Sequence, residues 1–298
     1  MAEKFNRFME ARVPIRFSTS PAASVTFIIP ARNEAGHIAV AVKMAIAATR
    51  AGDRVVVVDS ASTDNTAEEA RTAGADVLNG PKGKGAAMAV GIAESQTTWL
   101  IFLDGDLLRE EPNVAEVLRQ AVDREHENKN VGQVLGEFTE AKFGVIHSRL
   151  IGVYEPLINS LFLEMSGQFG NFPLTGFRAV RLNALPNDLT QGYGVEAAIN
   201  IHNRRRSITE PVGMIALGGN PNPQMGGEII KTILDIAEQY HRIRPTDRGL
   251  WESWINKVSE LKPQQGANDN SYRQQVTEYI LNHPSPSITN PETTVPEL

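Results

Sequence analysis

Across residues 24–108, short apolar runs alternate with longer segments whose apolar residues recur at helical spacing. The run "VTFIIP" (25–30) is β-rich and stops at Pro30, which predicts a buried strand. "HIAVAVKMAIAATRAG" (37–52) has helical periodicity and ends at Gly52, a helix stop. "RVVVVDS" (54–60) predicts a second buried strand, and Thr63 or Asp64 can cap the helix that follows, with Glu68 and Glu69 suited to its first turn. "ADVLNG" predicts a short third strand, "GKGAAMAVGIAES" (83–95) a helix reached through glycines, and "TWLIFLD" (98–104) a fourth strand. Fully apolar strands alternating with helices predict an α/β fold: a mostly parallel sheet covered by helices on both faces. In such sheets ligands bind at the carboxyl ends of the strands. Those ends read "PARNE", "DSAST", "NGPKGKG" and "DGD", all polar.

The second half is less regular. "GQVLGEFTE" (132–140) predicts a strand and "HSRLIGVYEPLINSLFLEM" a helix, while "LTGFRAVR" (174–181) reads as a loop leading into a strand or helix. "GYGVEAAINIHNRR" predicts a glycine turn feeding a helix, and "GGEIIKTILDIAEQYHRI" (226–243) an amphipathic helix. From Lys262 onward Pro, Asn, Gln, Ser and Thr dominate, which predicts a largely disordered tail with one short helix near "RQQVTEYIL". The expected organisation is an N-terminal arm (1–23), a main domain (24–235, halves 24–108 and 109–235), a C-terminal helical extension (236–262) and the tail (263–298).

Composition narrows the function classes. A hydrophobic fraction of 41% and a charged fraction of 21% are those of a globular protein. The net charge of −6 argues against nucleic-acid binding by bulk charge. With no cysteine, disulfides, thiolate catalysis and cysteine zinc sites are excluded. No stretch approaches the roughly 20 apolar residues of a membrane-spanning helix, and the first residues lack the apolar centre of a signal peptide. A cytoplasmic protein is expected, with a homodimer open. The six histidines show no metal-ligand spacing.

The chemistry gathers at the strand ends. Asp104 and Asp106, two apart on an extended segment, point the same way, and Gly105 removes bulk between them. Magnesium is typically held by one or two carboxylates, water and substrate phosphates; a turn in which aspartates bond their own backbone is the ordinary alternative. In "GPKGKGAAM" (80–88) glycines would let backbone amides approach a phosphate, with Lys82 and Lys84 adding charge, or would form a plain turn. Arg32, Asn33 and Glu34 follow the first strand, where Asn and Glu can hydrogen-bond a base or ribose or merely cap a helix. Asp59 ends the second strand, in position for a ribose or a cap. Glu196, just past the GYG turn, could act as general base or orient a hydroxyl, or simply favour the helix dipole. Arg178 could pair with a phosphate or lie on the surface. "NRRRS" (203–207) reads as a solvated face.

Taken in order, "VTFIIPARNEAGHI", "VVVVDSASTDNTAEEA", "GADVLNGPKGKGAAMAVGIAES" and "WLIFLDGDL" resemble the nucleotide-sugar half of a GT-A glycosyltransferase. The resemblance is to family 2 enzymes of the dolichyl-phosphate mannose synthase kind and to glucosyl-3-phosphoglycerate synthases. "PLTGFRAVR" and "GYGVEAAI" extend it over about residues 24–235. It implies a GT-A, Rossmann-like sheet with C-terminal helices, a nucleoside diphosphate sugar donor (UDP- or GDP-), a small hydroxyl acceptor and Mn2+ or Mg2+. By resemblance, Pro30, Ala31, Asn33 and Glu34 would line the base pocket, Asp59 and Ser60 would flank base and ribose, Lys84 would meet the donor's diphosphate or base edge, and Lys82 would lie on the donor side. Asp104 and Asp106 would be the DxD pair, reaching ribose and metal, Thr175, Gly176 and Arg178 would lie near the acceptor or donor sugar, Tyr193 would lie near the acceptor, and Glu196 would face it. The synthases carry a metal-ligating histidine in a segment like "LGGNPNP"; this chain offers Asn220 and Asn222 there. Their arginine-and-threonine phosphoglycerate site has no clear match in "HSRLIGVYEPL", and the membrane anchors of many polyprenyl-phosphate transferases are absent.

The expected reaction is hexose transfer, with the cation and a lysine stabilising the departing diphosphate. Whether it inverts or retains the anomeric centre is open. Rival readings are transfer to a nucleic-acid base, a protein or a polyprenyl phosphate, a sugar nucleotidyltransferase, whose GGxGxR loop is replaced here by "PARNEAG", and an inactive nucleotide-sugar-binding protein.

Overall fold

The computed structural model describes residues 24–138, 148–218, 222–264 and 268–289. The expected N-terminal arm, Asn220 and the last residues of the expected tail lie outside these. The described strands form one seven-stranded sheet in the order β3-β2-β1-β4-β6-β5-β7. They are β1 (Val25–Ala31), β2 (Arg54–Asp59), β3 (Asp76–Asn79), β4 (Trp99–Phe102), β5 (Val131–Phe138), β6 (Arg178–Arg181) and β7 (Arg206–Gly213). Neighbours run parallel except at β6, which is antiparallel to both β4 and β5.

The four predicted strands of the first half form because their apolar residues face both sides. Phe27 and Ile29 of β1 join the cluster under helices α1 (Ile38–Ala47) and α4 (Val114–Glu125), and Ile28 joins the opposite cluster. That second cluster lies under helix α3 (Lys84–Ala93) and helix α6 (Val195–His202), and helix α2 (Thr66–Thr72) adds Ala70 to the first. The sheet is thus covered on both faces, as expected of a buried parallel sheet. Pro30 sits beyond the last β1–β4 pair, Ile28↔Phe102, so its missing N–H breaks no ladder bond there. The chain winds away from β1 in both directions, and the crevice opens where β1 and β4 part company.

A third apolar cluster is built from helices. A π-helical turn, Leu150–Tyr154, runs into α5 (Glu155–Leu161) and packs with α7 (Met225–Gln239), α8 (Arg248–Ser259) and α9 (Asp269–Asn282) around Trp251, Phe162 and Tyr272. Residue 235, the expected domain limit, falls inside α7, so the main domain and the helical extension are not separable there.

The short helix expected near "RQQVTEYIL" is α9, and over the described residues 268–289 the tail is more ordered than its composition predicts. Asn268 caps α9 in a reciprocal capping box with Ser271, Tyr272 and Val276 are buried, and Arg273 pairs with both oxygens of Glu155. The two buried side chains stabilise docking by about 3–5 kcal/mol, which outweighs a polar composition. In the segment expected as a solvated face at 203–207, Arg204 and Arg206 are exposed; from Arg206 the chain is edge strand β7, and its Pro211 is tolerated because an edge has one unpaired side.

Candidate active site

The reversed strand β6 builds the site. Its register places Arg178 opposite Phe102, so the loop before it meets the segment just after β4. That segment is Leu103, Asp104, Gly105, Asp106. Gly105 is needed for close packing: a Cβ there would sit 3.3 Å from Ala31 Cβ and 3.4 Å from Glu34 Cγ. Gly176 is needed more strictly, since a Cβ there would lie 2.5 Å from Asp104 Cγ and closer still to both carboxylate oxygens. Asp106 is half-buried, and its carbonyl accepts from Gly218 N at 2.7 Å.

Lys84, in the first turn of α3, reaches across the crevice. Its Nζ lies 2.7 Å from Asp104 Oδ1 and 2.6 Å from Glu196 Oε1. Burial alone would lower its pKa; the charges of Asp104 and Glu196 override that and raise it well above the ordinary lysine range, so the ammonium stays protonated. Glu196 enters from the first turn of α6 and is nearly buried, at 4% exposure. One lysine therefore joins a carboxylate after β4 to a carboxylate from the second half.

The glycines around Lys84 have a different use from the one expected. Gly85 N and Ala86 N, at the start of α3, donate to the carbonyls of Gly192 and Gln191. A Cβ on Gly85 would lie 3.0 Å from the Thr190 carbonyl carbon. The helix terminus expected to cradle a phosphate is thus taken up by the loop before Glu196. Lys82 is exposed and stands apart from this cluster.

On the other side of the crevice the ends of β1 and β2 are laced together. Ser60 N donates to the Ala31 carbonyl at 2.8 Å, and Ser60 Oγ bridges Pro81 O and Gly83 N. Asn33 adopts a left-handed backbone (φ 57°), and its side-chain oxygen accepts from Thr63 N at 2.8 Å. Asp59 Oδ1 accepts from Ser62 N at 3.3 Å, and exposed Arg32 joins no such tie. The Glu34 carbonyl starts α1 by accepting from His37 N and Ile38 N, while its carboxylate lies 3.6 Å from His37 Nδ1. Burial first, then the charge of Asp106, push the Glu34 carboxyl up to about 7 against the lowering pull of His37. Negative charge is in surplus at this corner.

Arg178 does not lie where a ligand contact requires. It is fully buried, donating to the carbonyls of Pro173 and Thr175 and, from Nη1 at 3.0 Å, to Asn200 Oδ1. Asn200 Nδ2 in turn meets Tyr154 Oη at 3.2 Å and Pro173 O at 2.7 Å. Arg178 holds the 173–176 loop from beneath; a buried guanidinium satisfied by carbonyls is a strut. Buried Thr175 uses its hydroxyl on Phe177 N. Asn222 Oδ1 accepts from Gln224 N at 2.9 Å, capping its own turn. Two participants escaped the sequence reading, Asn200 and Glu228. Glu228 Oε2 accepts from Tyr193 N at 2.6 Å, and the paired glycines 192 and 194 were the available signal.

A mostly parallel α/β sheet with acidic and basic groups converging at its carboxyl edge from both halves of the chain is an architecture that matches the GT-A fold. The family model of glycosyl transferase family 2 matches residues 26–184, and the chain belongs to that family. It is 31% identical over 163 residues to Glycosyltransferase AglJ of Haloferax volcanii, covering 53% of this chain and 52% of that protein, so the match spans about half of that curated relative. The crystal structure of glucosyl-3-phosphoglycerate synthase from Mycobacterium tuberculosis with Mn2+, UDP and phosphoglyceric acid superposes with a TM-score of 0.62 at 23% identity, over 72% of this chain and 78% of that one. The same synthase with Mg2+ and UDP gives 0.61 at 23% identity, over 72% and 79%. These two likenesses are of fold. No helix among the described residues is long and apolar enough to cross a membrane.

Proposed function

We propose that this chain transfers a hexose from a UDP-sugar to a hydroxyl of a small acidic acceptor, with a divalent cation at the Asp104–Asp106 pair. The observation that carries the reading is the Lys84 bridge, 2.7 Å from Asp104 and 2.6 Å from Glu196, which sets donor-side and acceptor-side carboxylates around one cation.

The residues suit Mn2+ or Mg2+. Both side chains offer hard oxygen ligands, and among the described residues no group of three His, Asp or Glu makes a ready cage. That is the setting in which water and substrate phosphates complete the shell. The raised pKa of Glu34 beside Asp106 supports the same view, because a cation there would relieve the surplus negative charge. Bound there, such an ion supplies positive charge opposite the diphosphate as it departs.

The chain's own groups supply the rest. The laced 31–34 and 59–62 loops form the wall for base and ribose, and Lys84 adds a fixed positive charge for the leaving diphosphate. Glu196, 2.6 Å from Lys84 Nζ, accepts a hydrogen bond from the acceptor hydroxyl and orients it toward the sugar. The Mycobacterium tuberculosis synthase is itself bound to UDP, Mn2+ and phosphoglyceric acid.

Thermal-shift titration with UDP- and GDP-sugars, with and without Mn2+, tests the donor, and hydrolysis of UDP-glucose with and without 3-phosphoglycerate tests turnover. Asp106→Ala should abolish the Mn2+-dependent shift and lower turnover at least about 100-fold. Undiminished turnover by that variant, or by the wild type in EDTA, would overturn the proposal.

A further inference from the structure

Glu228 lies in the first turn of α7, outside the residues that the proposed reaction uses. An acid at a helix start is ordinary, but this one is turned toward another element. Its carboxylate accepts from the backbone N–H of Tyr193 at 2.6 Å, a short charge-assisted bond. The flanking glycines are shaped to it. A Cβ on Gly192 would fall 2.8 Å from Glu228 Cδ, and one on Gly194 would fall 2.5 Å from Thr232 Cβ and 3.0 Å from the Glu228 carbonyl. Thr232, one turn further along α7, meets Thr190 hydroxyl to hydroxyl at 3.2 Å. Residues 190–194 are thus seated on α7 at three successive points.

The other side of the same turn carries the charged groups of the site. Gln191 and Gly192 give their carbonyls to Ala86 N and Gly85 N, the residues immediately after Lys84. Gly194 is the N-cap of α6, and Glu196 is the second residue of that helix. Any shift of the turn moves Lys84 and Glu196 together. Gly218 donates separately to the carbonyl of Asp106.

From these contacts we infer that Glu228 is a positioning residue for the transfer reaction. Its carboxylate fixes the 190–194 turn, and the turn sets the spacing of Glu196 and Lys84 against the segment that carries Asp106. This rests on the proposed reading of the site. The physical demand is strict, since about 1 Å of misplacement at a reacting group is enough to cost about 100-fold in rate.

The test compares Glu228→Ala, which removes the acceptor, with Glu228→Gln, which keeps an oxygen for Tyr193 N. With UDP-glucose and Mn2+, Glu228→Ala should lose about 10- to 30-fold in kcat while KM for UDP-glucose stays within about 2-fold, because the 31–34 and 59–62 loops are untouched. Glu228→Gln should stay within about 3-fold of wild type in both. Hydrogen exchange read by mass spectrometry should rise in Glu228→Ala over residues 83–88 and 190–198 together, and not in Glu228→Gln. A Glu228→Ala protein with wild-type kcat, or with exchange unchanged at 83–88, would overturn the inference, as would equal loss of kcat in both variants. If the wild type turned over no UDP-sugar the reading of the site would fail, and the exchange of residues 83–88 and 190–198 would still decide whether Glu228 holds the turn.

Discussion

Gly176→Ala adds one methyl group where the site has no room for it. Gly176 is not one of the positive-φ glycines, so alanine meets no backbone strain and the perturbation is confined to the side chain. The new Cβ would lie 2.5 Å from Asp104 Cγ, about 1 Å inside an ordinary carbon–carbon contact. The far end of a flexible chain could slide away, but this neighbour is a short carboxylate bound at 2.7 Å to Lys84. Asp104 must turn to another rotamer and give up that bond, leaving Lys84 with Glu196 alone. The side chains of Lys84 and Asp104 are 18% and 23% exposed, so solvent screens the loss only in part. Losing one arm of a mostly buried ion pair costs about 1–3 kcal/mol. A chain of 298 residues should then melt about 2–5 °C lower. Turnover should suffer more, because Asp104 is displaced from its proposed place at the cation. The assay is scanning fluorimetry alongside Mn2+-dependent UDP-glucose hydrolysis, with Gly226→Ala as control, since nothing lies within 4 Å of a Cβ there. Wild-type melting and turnover in Gly176→Ala would refute the reasoning.

Lys84→Met removes the cation from between two carboxylates and should cost about 2–4 kcal/mol at neutral pH. Denaturant unfolding of the variant against wild type checks it, and equal stability would contradict it. Glu34→Gln tests the raised carboxyl. Because the Glu34 pKa is about 7 in the folded chain against 4.5 for an ordinary glutamate, the native state holds the extra proton between those values. The Glu34 contribution is therefore greatest below pH 4.5 and declines as pH rises to about 7. With a side chain 22% exposed, the decline should be about 1–2 kcal/mol after allowance for screening. Wild type should lose that much stability relative to Glu34→Gln between pH 5 and 8, and parallel curves would contradict it.

β1, β2 and β4 were legible because each is a continuous apolar run buried on both faces, a pattern with few other meanings, whereas β3 is a short, half-buried edge strand read from its place between turns. β6 was not, because it has only four residues and begins with Arg178, whose burial depends on carbonyls supplied by residues 173 and 175. β7 was hidden by three arginines and Pro211, all compatible with an edge. α9 was legible as one short helix near "RQQVTEYIL", but its docking was not, because only Tyr272 and Val276 of its fourteen residues are buried. Asp104, Lys84 and Glu196 were each legible as residues of interest, but their meeting was not. It spans more than 100 residues and depends on the reversed strand. Arg178 illustrates the opposite error: residue type suggested a phosphate, and depth, which sequence does not carry, makes it a strut.

The reversal of β6 also shapes how the sheet must be completed. β4 is entirely apolar and buried, and one of its edges is covered only by β6. That partner comes about 80 residues later in the chain. At about 5–20 residues per second, synthesis leaves the "WLIF" edge waiting roughly 4–16 s for its neighbour. An unpaired apolar edge invites other strands to add to it. A fragment ending near Leu108 would carry that edge permanently and should associate with itself, so the half of the molecule whose sequence is easiest to read is the half least able to remain soluble by itself.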